Sequence, residues 1–317
     1  MKASRIFWAA ALAAALFTGI SSAEFASLRE ALPAYSPVDA VIEHTGYTLL
    51  YREDHEQAAW VAYMLTGERL KGTAARRDNF RADPSVPTGS ATPADYRASG
   101  YDRGHLATAA DMKWSAKAMS ESFYMSNMSP QAKEFNRGIW EQLESSVREW
   151  AKSDGELYVV AGPVLEPGLK TIGKNGVSVP RMYYKVVLDY RLPEYKAIGF
   201  LLPNEGATKP LDAFVVTVDS VEHAVGIDFF PELPDSLEHA LEGTLKPFEW
   251  GLSGAEIAAV PVAAKIQDDT KGAWEKGIDT RMAVVIAIIV LMVLALIILA
   301  VLIMIKNAFG HTGRRRR

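Results

Sequence analysis

The sequence predicts an α+β domain, with a central mixed or antiparallel sheet and flanking helices, followed by one C-terminal transmembrane helix. Three observations lead there. Short runs with strand-like alternation recur along the first 250 or so residues, broken by Gly and Pro. Two stretches in the middle instead repeat apolar residues at helical spacing. Near the C-terminus lies an uninterrupted apolar segment of about 24 residues.

Residues 1–23 open the chain with Lys2 and Arg5, an apolar run, and Ser21-Ser22-Ala23. That is the order of charge, apolar core and small residues in a secretory signal, with cleavage expected after Ala23; an uncleaved N-terminal anchor is the alternative. Residues 24–253 form the exported domain, with its core at about 40–250. Within it, 41–66 predicts a hairpin, its clearest runs being Tyr47-Thr48-Leu49-Leu50-Tyr51 and Ala59-Trp60-Val61-Ala62-Tyr63. Residues 67–99 are rich in Arg, Asp, Pro, Gly and Thr and read as an ordered surface loop, and a loop of that length is usually functional.

Ser115 caps a short helix predicted over 115–123. A longer helix is predicted to start near Phe135. It aligns Ile139, Trp140, Leu143, Val147 and Trp150 on one stripe, with Glu144 and Arg148 one turn apart on its margin and Asn136 near its start. Strands are predicted at 156–161, 182–189, 196–202 and 214–218, and a short helix at 235–242.

Residues 254–281 read as a linker, 282–305 as a membrane span and 306–317 as a basic tail. Lys306 and Arg314 to Arg317 place that tail in the cytoplasm. The signal and the tail agree on a single-pass protein of a bacterial envelope, its domain periplasmic or extracellular. An organelle membrane is the alternative, although residues 1–23 lack the Arg-rich amphipathic character of a transit segment.

The chain has no cysteine, which excludes disulfides, thiolate catalysis and cysteine-bound zinc, so any metal must sit on oxygen and nitrogen ligands. A formal net charge of −4 at pH 7 argues against a generally basic nucleic-acid-coating protein. Affinity for polyanions must then come from a local patch, for which Arg76, Arg77, Arg81, Arg97 and Arg103 are the candidates.

Residues 102–148 collect the groups that phosphodiester hydrolysis requires: a base to activate water, positive charge for the phosphoryl oxygens and help for the departing 3′ oxygen. His105 follows a glycine and stands beside Arg103 and Asp102, in a setting suited to a general base. Taken singly, each residue has a plainer reading: an exposed histidine, a helix-capping Asn136, a solvated Glu144–Arg148 pair.

Their combination changes that balance. Asp102-Arg103-Gly104-His105, the FYMSNMSPQ stretch at 123–131, and Asn136 followed by Trp140, Leu143, Glu144 and Arg148 together resemble the DNA/RNA non-specific endonuclease family. These are the ββα-metal (His-Me finger) nucleases that include mitochondrial endonuclease G and secreted sugar-non-specific nucleases. Weaker matches lie at 79–84 and 179–186, so the likeness covers roughly residues 40 to 250.

The resemblance implies a ββα-metal fold and sequence-tolerant cleavage of DNA and RNA, leaving 5′-phosphate ends. His105 would be the general base. Asn136 would be the direct protein ligand of Mg²⁺, or of Mn²⁺ in its place. Glu144 would hold the ion's waters, Arg103 and Arg148 would lie near the phosphate, and Asn127 would support the site by hydrogen bonds, with Asp102 beside it. Either Arg76 or Arg77 would match an arginine that the family supplies from the preceding loop. The oligomeric state stays open, a homodimer included. Two other readings compete: a non-catalytic surface receptor for DNA capture, and a phosphodiesterase for another anionic substrate. The chain departs from better-known members in its terminal membrane span and its lack of cysteine.

Overall fold

The computed structural model describes Phe25 and residues 27–253. The predicted signal, linker, membrane span and basic tail lie outside the described residues. Among the described residues no helix is long and apolar enough to cross a membrane.

The chain first builds a three-stranded meander, β1 (Ala40–Glu43), β2 (Thr48–Arg52) and β3 (Gln57–Thr66). The hairpin expected over 41–66 is therefore its β2–β3 part, with β1 added at the edge. Strand β3 is buried almost along its whole length. It runs through the middle of the sheet with both faces covered, which explains why its run of Ala, Trp, Val and Tyr alternates so weakly in polarity.

After the arginine-bearing segment come β4 (Asp102–His105), helix α1 (Ala116–Glu121), β5 (Met128–Gln131), α2 (Lys133–Asn136) and α3 (Ile139–Asp154). Ser115 caps α1 as the sequence predicts, its hydroxyl accepting from the backbone N–H groups of Lys117 and Ala118. The helix predicted to start near Phe135 is instead two helices. Gly138 interrupts it with φ −118° and ψ −108°, and a Cβ there would run into the Glu134 carbonyl, so the backbone turns where only glycine fits.

Strands β6 (Glu156–Pro163), β9 (Met182–Asp189) and β10 (Lys196–Pro203) complete the sheet, after a small hairpin of β7 (Thr171–Ile172) and β8 (Val177–Ser178). The strand predicted at 214–218 shrinks to β11 (Val215–Val216). A 3-10 turn precedes it, and Thr217 caps α4 (Val218–Val225), which the sequence reading did not foresee. Side-chain capping by Thr217 turns the backbone helical where valines alone suggest a strand. Helix α5 (Asp235–Glu242) lies where predicted.

The main sheet has seven strands in the order β1-β2-β3-β6-β9-β10-β11, and every pair in it is antiparallel. The mixed option is thus corrected to the antiparallel one. Trp140, Leu143 and Val147 of α3 join Tyr63, Val159, Tyr183, Val187 and Phe200 in the principal core. Helix α4 and the segment after it pack on the opposite face, where Phe229 meets Tyr184. Alternation along β9 follows: Tyr183, Lys185 and Val187 point one way, Tyr184 and Val186 the other.

The arginine-bearing segment is ordered, but it is not merely surface. Asp83, Val86, Ser90, Ala91, Asp95 and Tyr96 are buried within it. Asp83 accepts from Ser126 Oγ at 2.5 Å and lies 2.8 Å from His44 Nε2, which pins the loop to the turn before β5.

Candidate active site

Strands β4 and β5 form a separate antiparallel ribbon that α2 and α3 follow directly, a ββα unit laid against the main sheet. Its register pairs Asp102 with Gln131, Gly104 with Ser129 and His105 with Met128. The buried Gln131 side chain lies across Gly104, where a Cβ would collide with its carboxamide. The glycine before His105 is therefore a packing requirement of the ribbon.

Asp102 and His105 occupy opposite ends of β4. Asp102 accepts two bonds from the Arg137 guanidinium at 2.8 and 3.0 Å, and one from Asn136 Nδ2 at 3.1 Å. Committing the amide nitrogen in this way would let Asn136 Oδ1, a neutral hard oxygen, serve a cation. Among the described residues no three His, Asp or Glu side chains converge at this site to enclose an ion. The donor set fits a hard divalent cation that keeps most of its own water.

His105 sits between Phe80 and Phe123, with ring centroids 5.8 and 5.0 Å away. On those two rings rest the guanidinium groups of Arg103, at 4.0 Å, and Arg76, at 5.0 Å. Burial, then the positive charge of Arg76 and Arg103, pushes the imidazole down to about 3, against the opposing effect of Asp78. The ring is thus neutral near pH 7, and its Nε2 is a buried atom without a hydrogen-bond partner. A neutral, unengaged ring nitrogen beside two arginines is equipped to take a proton next to a bound anion.

The structure also separates the two loop candidates. Both arginines are exposed, but Arg76 belongs to this stack whereas Arg77 makes none of these contacts. Arg81 is structural, donating to the Ser120 and Asn79 carbonyls and lying over Tyr124. Arg97 and Arg103, with Pro93, Tyr96, Tyr101 and Asp102, line an open cleft of about 350 Å³ beside β4.

Asn127 is fully buried. Its amide donates to the Ala107 and Ser122 carbonyls and its oxygen accepts from Ala107 N–H, clamping the chain just after His105 to the turn before β5. Trp140 Nε1 donates to the His105 carbonyl at 3.3 Å, tying α3 to the same strand end.

Glu144 and Arg148 share one margin of α3 as expected, but their neighbours are residues the motif did not single out. Arg148 pairs with buried Asp111 at 3.3 Å, and Tyr63 donates to that carboxylate at 3.0 Å. Burial and the nearby Asp111 charge raise Glu144 to about 7, while Lys185, Arg148 and Thr108 pull it down. Lys185 is 0% exposed, and its Nζ sits 4.5 Å from the Trp140 ring without a hydrogen-bond partner. A lysine in the middle of the mostly apolar run Met182–Leu188 was the sequence signal that could have revealed this charge cluster.

A profile of the family described as DNA/RNA non-specific endonuclease matches residues 31–236. Human mitochondrial endonuclease G is 39% identical over 202 residues, covering 59% of this chain and 68% of that protein. The mitochondrial nuclease EXOG of Danio rerio is 41% identical over 207 residues, covering 60% of each chain. Nuclease C1 of Cunninghamella echinulata is 39% identical over 209 residues, covering 61% of this chain and 83% of its own. A crystal structure of the EndoG/EndoGI complex superposes with a TM-score of 0.60 at 31% identity, over 66% of this chain and 91% of that one. With the family profile spanning most of the described domain and the ββα unit in place, the chain belongs to the DNA/RNA non-specific endonuclease family.

Proposed function

We propose that this protein is a Mg²⁺-dependent endonuclease, able to use Mn²⁺, that hydrolyses DNA and RNA with little sequence preference. The observation that carries this reading is the neutral His105, its Nε2 unengaged, held between the aromatic rings that support Arg76 and Arg103. Nuclease is also what the relatives' names share.

In this reading Arg76 and Arg103 grip phosphate oxygens, which carry no base identity, so sequence preference stays weak. His105 Nε2 takes the proton of the attacking water as its oxygen bonds to phosphorus. Asn136 Oδ1 would hold the ion, with its amide fixed by Asp102, and Glu144 would accept hydrogen bonds from the ion's waters. When bound, Mg²⁺ would supply positive charge to the phosphoryl and departing 3′ oxygens, and departure of the 3′ oxygen leaves a 5′-phosphate. Arg148 balances Asp111 and Glu144 from behind, so its effect on phosphate is electrostatic.

His105→Ala tests the reading on plasmid DNA and RNA. The expected result is a loss of about 10²–10⁴-fold in turnover with an unchanged circular dichroism spectrum. Cleavage at the unaltered rate would overturn it, and tight Mg²⁺-dependent binding without cleavage by the unaltered protein would favour a nucleic-acid receptor. The same proposal places the domain outside a bacterial cytoplasmic membrane, tethered by residues 282–305. Protease accessibility in spheroplasts, read with mass spectrometry of both termini, tests that placement.

A further inference from the structure

On the sheet face opposite the ββα unit, α4 and α5 bring three carboxylates together. Ligand oxygens of Asp219, Glu222 and Glu242 all lie within 4.8 Å of one another. Glu242 is 4% exposed, and its Oε1 is buried without a hydrogen-bond partner. It is also the last residue of α5, where the helix terminus already carries partial negative charge. Glu222 uses Oε1 to accept from Phe229 N–H at 2.7 Å, which leaves its second oxygen for the cluster. Asp219 reaches over the end of α5, since a Cβ on Gly243 would lie 3.3 Å from its Oδ2.

Burial, followed by the negative charges of Glu222, Glu238, Asp219 and Asp228, pushes the Glu242 carboxyl up to about 9. A buried carboxylate in such surroundings is held either by a proton or by a cation. The ligand number and the spacing fit one class of cation best. Calcium binds oxygens at about 2.3–2.6 Å, so two ligands on opposite sides of one ion stand at most about 4.6–5.2 Å apart. Magnesium keeps several of its waters and usually takes only one or two carboxylates, whereas three carboxylate residues converge here.

We propose that Asp219, Glu222 and Glu242 form a structural site for a hard divalent cation, calcium by preference, that clamps α4 to the end of α5. The site is separate from the catalytic unit and supplies no group to the reaction. Asp219 is exposed and Glu222 partly so, which gives the ion a way in from solvent.

Equilibrium dialysis of the full chain in detergent against CaCl₂ tests this, using an Asn136→Ala background to remove the proposed catalytic ligand. That chain should bind calcium, and its thermal midpoint should rise with calcium. Adding Glu242→Gln should abolish both effects while the metal-free chain stays folded, because the amide is isosteric with the protonated carboxyl that the metal-free chain holds. Adding Asp219→Asn should weaken binding by about tenfold or more, as fewer charged ligands remain. A background chain that binds no calcium overturns the proposal. So does calcium binding of unchanged affinity in the Glu242→Gln chain or, if that chain fails to fold, in the Asp219→Asn chain.

Discussion

At the scale of single residues, the site is a set of ionisable groups held away from their ordinary protonation behaviour. Glu144 is raised from 4.5 to about 7, so between those values the folded state keeps a proton that the unfolded chain releases. Its contribution to stability is complete below pH 4.5 and is lost as pH rises through 7. Metal-free Glu144→Gln should therefore lose less stability than the parent between pH 5 and pH 8, as read by urea denaturation. Equal slopes would mean that Glu144 is not held in its neutral form. His105 works in the opposite direction. Lowered from 6.5 to about 3, it contributes stability that is complete above pH 6.5 and lost as pH falls towards 3.

The arginines yield a second residue-level prediction. Arg76→Ala should weaken substrate binding and reduce the salt dependence of binding, lowering its slope by roughly 1, whereas Arg77→Ala should leave that slope nearly unchanged. Fluorescence anisotropy with a labelled duplex across a salt series, in His105→Ala chains, separates the two. Matching losses for both variants would contradict the assignment of Arg76. The sequence left this pair open because adjacent arginines in a loop have no periodicity to orient them. Only the ring of Phe123, reached from a distant segment, distinguishes one from the other.

At the scale of elements, the ββα unit shows how far local signals carry. Ser115 at the head of α1 was legible because capping depends on neighbours two and three residues away. The amphipathic stripe of α3 was legible because its period is a property of the chain itself. The break at Gly138 was not, since a glycine inside a helical pattern is often tolerated. Gly138→Ala should cost about 1–3 kcal/mol, because its methyl would press on the Glu134 carbonyl in a turn that cannot relax without moving Asn136. The same variant should need more Mg²⁺ for half-maximal cleavage. A stability and metal titration equal to the parent's would show that the break is not needed to place Asn136. Leu143, fully buried between α3 and the sheet, sets the ordinary scale for comparison: Leu143→Ala should cost about 2–5 kcal/mol in denaturant unfolding.

At the scale of the whole molecule, one antiparallel sheet separates the ββα unit from the acidic cluster of α4 and α5. The ribbon and α3 lie on one face, and α4 with its acidic partners lies on the other. The net charge of −4 is then no obstacle to a polyanionic substrate. The arginines proposed to grip phosphate lie on one side, while the carboxylates of α4 and α5 gather on the opposite one. Raising ionic strength from low to physiological should therefore weaken substrate binding steeply despite the acidic composition. A flat salt dependence would argue against a local basic patch.

The sequence by itself determined the family, the order and type of most elements, and the residues of the ββα motif, because these reside in short spacings that folding preserves. It also carried the expectation of a signal and a membrane span. What only the tertiary structure decided is which groups face one another: Arg76 rather than Arg77 beside His105, Asp102 as the holder of Asn136, Lys185 beneath Trp140, and three carboxylates from two helices at one point. Each of these joins residues from separate elements, and their proximity follows from strand order and helix packing. Neither composition nor period encodes it.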